Sequence, residues 1–274
     1  MRRLICPTYD DDKRQAALAL KRGIGSVLLT RWQKAYRAYR RSLGNPFKVV
    51  PFKKSRKFHL TLYKIYDQTK YTKVIADIRK LALSTCPMCG AAGVGTVDHY
   101  LPRETYPEFS VFTPNLVPAC GTCNSKAKRT TVSGPSPGQR FLHPYFNKIV
   151  GRDLWQVRFH ITDTAVTFSA EPLPTLSAST ARRVQWHLEN VLEDQFQNLM
   201  GSNWADHARG LNKALARQGL PTMTAAFVRS ETADRLSYEE TGDKHNSWVA
   251  AFYRGILNDP HAIAWMVLHG PAVI

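Results

Sequence analysis

No stretch of this 274-residue chain approaches the roughly 18 consecutive apolar residues that span a bilayer, and an apolar run such as Val27-Leu28-Leu29 is short. A membrane anchor is therefore not expected. Arg2 and Arg3 resemble the charged start of a secretory signal, but Asp10-Asp11-Asp12 stands where its apolar run belongs, so no signal is read there. No internal repeat is visible. Cysteine is scarce as well, with five residues and hence an odd count. Without a signal, that favours a reducing, cytoplasmic setting and metal-bound thiolates over a disulfide framework.

Negative charge is the other shortage. Lys and Arg number 38 against 21 Asp and Glu, a formal net charge of +17. Residues 1–60 hold 16 of the basic residues and three acidic ones, so +13 of the excess lies in that stretch. Self-repulsion on this scale is offset by a polyanion, which makes nucleic acid the first partner to consider; a merely solvated basic surface is the plainer alternative. Hydrophobic content of 43% and charged content of 22% are ordinary for a globular protein. The length allows one large domain or two modest ones.

Residues 13–42 read as one helix or a pair, weakened at Gly23 and Gly25. Within them KAYRAYRR (34–41) alternates cations with tyrosines, placing bases toward phosphate and Tyr36 and Tyr39 toward a core. Gly44-Asn45-Pro46 breaks the helix, and PFKKSRK (51–57) reads as a basic connector whose Lys53, Lys54, Arg56 and Lys57 are candidate nucleic-acid contacts. A helix is expected over 71–84, leading into Cys86. Residues 130–140 form a Ser/Gly/Pro loop, and 154–169 alternate as a β-hairpin does. Helices are expected from 179 to about 217, over 223–238 and over 245–268. The fold class is α+β, in three regions: a basic helical arm (1–84), a central core (85–150), and a hairpin with a helical remainder (151–274).

The central core holds the most informative segment, CPMCGAAGVGTVDHYLPRETYPEFSVFTPNLVPACGTCN (86–124). Cys86, Cys89, Cys120 and Cys123 form two CxxC pairs about thirty residues apart. One pair would serve a redox dithiol, whereas two suit a tetrahedral structural zinc. Between them lies Asp98-His99. Hydrolysis of a phosphodiester needs a base to activate water and a cation to neutralise developing charge. Histidine suits the base, and a carboxylate with an amide oxygen suits a hard Mg²⁺ or Mn²⁺ ion.

The pattern CPMCG…DHYLP…NLVPACGTCNSK resembles the HNH, or ββα-metal, endonuclease family in its four-cysteine form, over roughly residues 84–130. The resemblance implies an HNH core stapled by the four-cysteine zinc, acting on DNA. It makes His99 the general base, Asp98 and Asn124 ligands of a catalytic divalent ion, and Asn115 the central residue that fixes the loop and orients the base. Arg103, Lys126 and Lys128 would contact phosphates. Products would carry 5′-phosphate and 3′-hydroxyl ends. The chain is also similar to HNH effectors that accompany ATPases in prokaryotic anti-phage defence systems, which suggests a regulatory partner subunit.

Each residue has a plainer role beside this one. Asp98 can cap a turn and His99 support the knuckle, Asn115 can be a turn residue, Asn124 a helix N-cap and Arg103 a solvated side chain. His143 reads as a loop or core histidine ahead of a ligand. The competing function, a non-catalytic zinc module binding nucleic acid or a protein partner, would need the cysteines but not Asp98, His99 and Asn124.

Overall fold

The computed structural model describes residues 1–52, 56–69, 72–81, 83–162, 165–242 and 244–269. It is mixed α+β and separates into two compact units. One comprises Arg3–Met88 and Ala92–Lys148; the other comprises Met1–Arg2, Cys89–Ala91 and Ile149–Ile274.

In the first unit, α1 (Asp11–Lys21) starts where the Asp10 side chain accepts the Lys13 amide at 2.9 Å, with Asp11 and Asp12 in the positive first turn. It ends at Gly23, whose φ of +63° suits glycine. α2 (Ser26–Ser42) follows, so the stretch read as one helix or two is two. Trp32, Tyr36 and Tyr39 recur at helical spacing and are buried. Tyr36 stacks on Phe112 with centroids 4.0 Å apart, and Tyr39 meets Phe109 edge-on at 4.9 Å. Both tyrosines are core residues.

α3 (Arg56–Thr69) has no counterpart among the helices expected above. Its buried Phe58, Leu62 and Ile65 do carry the helical period. α4 (Lys73–Arg79) is shorter than the expected 71–84. Its Val74, Ile75 and Ile78 pack with Val97 and Leu116, joined by Tyr9 and Tyr66. Strands β1 (Thr96–His99) and β2 (Leu116–Ala119) pair antiparallel, Asp98 opposite Val117 and His99 opposite Leu116. One wide helical turn, Cys123–Ala127, comes next.

In the second unit, the expected hairpin is β3 (Trp155–Ile161) with β4 (Val166–Pro172). Helices α5 (Ala178–Glu189), α6 (Gln195–Arg217), α7 (Ala225–Glu240), α8 (Trp248–Asn258) and α9 (Pro260–His269) complete it. Ser177, Thr224 and Ser247 cap α5, α7 and α8. Gly255 lets α8 approach β3 closely, since a Cβ there would collide with the Val157 carbonyl. Arg254 is spent within this unit, donating to the Trp155 carbonyl at 2.7 Å and to Glu240 at 2.6 Å. Among the described residues, no helix is long and apolar enough to cross a membrane.

Candidate functional site

The four cysteines meet. Their sulfur atoms all lie within 4.8 Å of one another and none is in a disulfide. Cys86 and Cys123 are 3.9 Å apart, close to the edge of about 3.8 Å that Zn–S bonds of ~2.3 Å impose on a tetrahedron. Backbone amides point at the sulfurs: Cys120 N–H at Cys86 Sγ (3.3 Å), Cys123 N–H at Cys120 Sγ (3.4 Å) and Ala91 N–H at Cys89 Sγ (3.4 Å). Such donors favour the thiolate, the form that binds metal. Gly90 makes the first turn possible with φ +86°. The cluster can hold a zinc ion. Cys6 stands apart, its thiol pushed up to about 11 by burial, with Asp11 adding to the rise.

Downstream of the first knuckle, β1 delivers Asp98 and His99 to a cavity of about 730 Å³ in the first unit. Arg103 and Asn124 line it as well, so four of the expected site residues come together. His99 is buried. Its Nε2 is 2.9 Å from the Ser110 carbonyl, and a carbonyl only accepts, so Nε2 carries the proton and Nδ1 keeps a lone pair. Burial, with smaller contributions from Arg103 and Lys128, lowers the pKa of the ring to about 3 against the opposing bond to Ser110. The imidazole is therefore neutral at ordinary pH. Tyr66 packs edge-on against it, with centroids 4.6 Å apart.

Asp98 Oδ1 accepts the His99 amide at 2.7 Å. Its Oδ2 has an ion contact with Lys128 Nζ at 3.2 Å and no other polar partner among the described residues. Burial pushes the carboxyl upward, and Lys128 opposes that shift. Lys128 itself is 0% exposed and donates to the His99 carbonyl at 2.6 Å. This corrects the expectation that Lys128 faces phosphate: its ammonium is held inside, because the buried carboxylate beside it needs a counter-charge.

Asn115 does not line the cavity. Its Oδ1 accepts from the Leu101 amide (2.8 Å) and the Tyr39 hydroxyl (3.0 Å), and its Nδ2 donates to the Leu101 and Phe109 carbonyls (3.0 and 3.2 Å). It staples the loop whose Ser110 carbonyl bonds His99. His143 is a core histidine, 3.2 Å from the Tyr39 hydroxyl through Nε2 and accepting the Tyr145 amide at Nδ1. Lys126 is exposed, and Lys57 is exposed on α3; neither lines the cavity. Arg56 begins α3. Lys53 and Lys54 lie outside the described residues. The motif did not point to Tyr66, Arg79, Ser125, Arg129 and Thr130, which also line the cavity. Their only sequence signals are helical period for Tyr66 and positive charge for the two arginines.

Glu108 sits in the same loop, fully buried, with Oε1 accepting the Phe52 amide at 3.0 Å. Desolvation raises its carboxyl from 4.5 to about 7. The folded pKa exceeds the unfolded one, so Glu108 costs stability progressively as pH rises from about 4.5 to about 7, on the order of 3 kcal/mol above that. Glu108→Gln is expected to melt higher than wild type at pH 8, and the gap should close at pH 5. A gap independent of pH would rule out this carboxyl as its source.

No family model matches the chain, and no solved structure matches it. Among curated proteins, protein ea31 of Escherichia phage lambda is 39% identical over 90 residues. That segment is 31% of this chain and 30% of the phage protein, so the match spans less than a third of either.

Proposed function

We propose that the chain is a metal-dependent endonuclease of the HNH type that hydrolyses DNA phosphodiester bonds. The observation that carries this reading is the shared cavity of Asp98, His99, Arg103 and Asn124, on a two-stranded turn of chain braced by the four cysteines. His99 Nδ1 takes a proton from water while the Ser110 carbonyl and Tyr66 hold the ring in place. Asn115 keeps that carbonyl in position through Phe109. Asp98 Oδ2, buried and lacking a hydrogen-bond partner beyond its ion contact, and the Asn124 amide are oxygen donors fitting Mg²⁺ or Mn²⁺. When bound, that ion would neutralise charge developing on the phosphate. Arg103 lines the same wall, ion-paired with Asp67 at 3.1 Å.

A second reading, a zinc module that binds nucleic acid or protein without cutting it, draws on one observation. Lys128 already balances Asp98, so the carboxylate needs no metal to be stable. Supercoiled plasmid with Mg²⁺ or Mn²⁺ separates the two. Wild type is expected to nick it, and His99→Ala to lose about 10²–10⁴-fold in rate while keeping its zinc and its DNA binding. Binding without cutting by either protein selects the module or a gating partner subunit; undiminished cutting by His99→Ala removes His99 as the base.

A further inference from the structure

We infer that Arg79 and Arg129 grip the phosphates flanking the bond to be cut, with Tyr66 standing between Arg79 and the base; this rests on the nuclease reading of the cavity. Both arginines line the cavity with Asp98, His99 and Asn124. The charges around them are unequally committed. Lys128 balances Asp98. Arg103 is taken up by Asp67 at 3.1 Å and lies over the Tyr63 ring at 4.2 Å. Of the lining charges among the described residues, that leaves Arg79 and Arg129 against exposed Glu104. The surplus is positive, and guanidinium groups match phosphate oxygens in a two-pronged geometry.

Two further observations fix where these arginines sit. The Arg79 guanidinium lies near enough to the Tyr66 hydroxyl to oppose the upward push that burial gives it, and the Tyr66 ring packs on His99. One tyrosine thus neighbours both the guanidinium and the imidazole. Arg129 has φ +43°, a left-handed conformation that a side-chain-bearing residue rarely holds; among the described residues only Leu43 shares it. Leu43 terminates α2, and Arg129 likewise ends the Cys123–Ala127 turn, one residue past its cap Lys128, at the cavity wall.

The test uses full-length His99→Ala protein, so that DNA stays intact, and a fluorescent DNA duplex titrated by anisotropy at several salt concentrations. Added to that background, Arg79→Met and Arg129→Met are each expected to lower the slope of log K against log salt by about 1. Affinity at 0.1 M salt should fall about eightfold, the factor that one released counterion contributes between 1 M and 0.1 M. Arg79→Lys and Arg129→Lys should keep most of the slope, and Arg217→Met, on exposed α6 surface, should leave it unchanged. Tyr66→Phe keeps the ring on His99 and both arginines, so it should weaken binding less than Arg79→Met. Unaltered slopes in both methionine variants, in protein that binds DNA and retains zinc, overturn the inference and leave the nuclease reading standing. Absence of DNA binding by the His99→Ala parent, together with no cutting by wild type, overturns both.

Discussion

Removing metal from the four-cysteine cluster is expected to lower the melting temperature by about 10 to 20 °C. Structural zinc in small modules contributes an apparent 10–16 kcal/mol at neutral pH, which rivals the whole stability of a typical domain. Here the sulfurs of Cys86 and Cys123 are fully buried and 3.9 Å apart. Without a cation, the cluster either carries crowded negative charge or takes up protons and loses its thiolate bonds. Even a third of the small-module figure, about 5 kcal/mol, corresponds to the quoted shift at about 2–4 °C per kcal/mol for a chain of this size class. Cys86→Ser should show the same loss and bind less than one zinc per chain. Cys6→Ser should retain full zinc, because Cys6 is outside the cluster and its thiol is held protonated by burial. Elemental analysis by mass spectrometry and melting with and without a chelator measure both effects. A protein without bound metal whose melting ignores chelator would remove the zinc assignment.

Lys128→Met is expected to destabilise the protein by about 3–5 kcal/mol in the absence of magnesium, the usual cost of stranding one charge of a buried pair. Lys128 is 0% exposed and the Asp98 side chain 6% exposed, so bulk water replaces the lost partner poorly. The His99 carbonyl also loses its donor. Asp98→Asn should be costly for the mirror reason, leaving the ammonium with the carbonyl alone. The double variant should cost less than the sum of the singles by more than about 1 kcal/mol, since neither stranded charge then remains. Urea unfolding of the four proteins in magnesium-free buffer gives the cycle. Additive losses would mean that the two groups do not act as a pair, and Asp98 would then need a different counter-charge.

These two predictions also mark where the sequence was legible. The CxxC pairs place two sulfurs three residues apart on one knuckle, a local geometry that spacing dictates almost regardless of surroundings. Asp98 and His99 are neighbours on one short strand, so wherever that strand goes they go together. The 154–169 alternation and the run of C-terminal helices follow from periods of two and 3.6 residues, which are again local. α3 carried the same kind of signal in Phe58, Leu62 and Ile65, but Lys53, Lys54, Arg56 and Lys57 ahead of it read as a connector.

What the chain determined by itself is therefore the α+β class, the four-cysteine cluster and the pairing of a carboxylate with an imidazole. Tertiary structure decided which charges face the cavity and which are sealed beneath it. Lys128 and Arg129 are consecutive, yet one is buried against Asp98 and the other is exposed at the wall. Tyr66 reaches His99 from α3 and Arg79 joins the cavity wall from α4, both twenty or more residues away in the chain. Asn115 bears on His99 only through the Phe109 and Ser110 backbone. Whether a cation is solvated, paired or aimed at a ligand depends on the elements that close around it, and no local period encodes that closure.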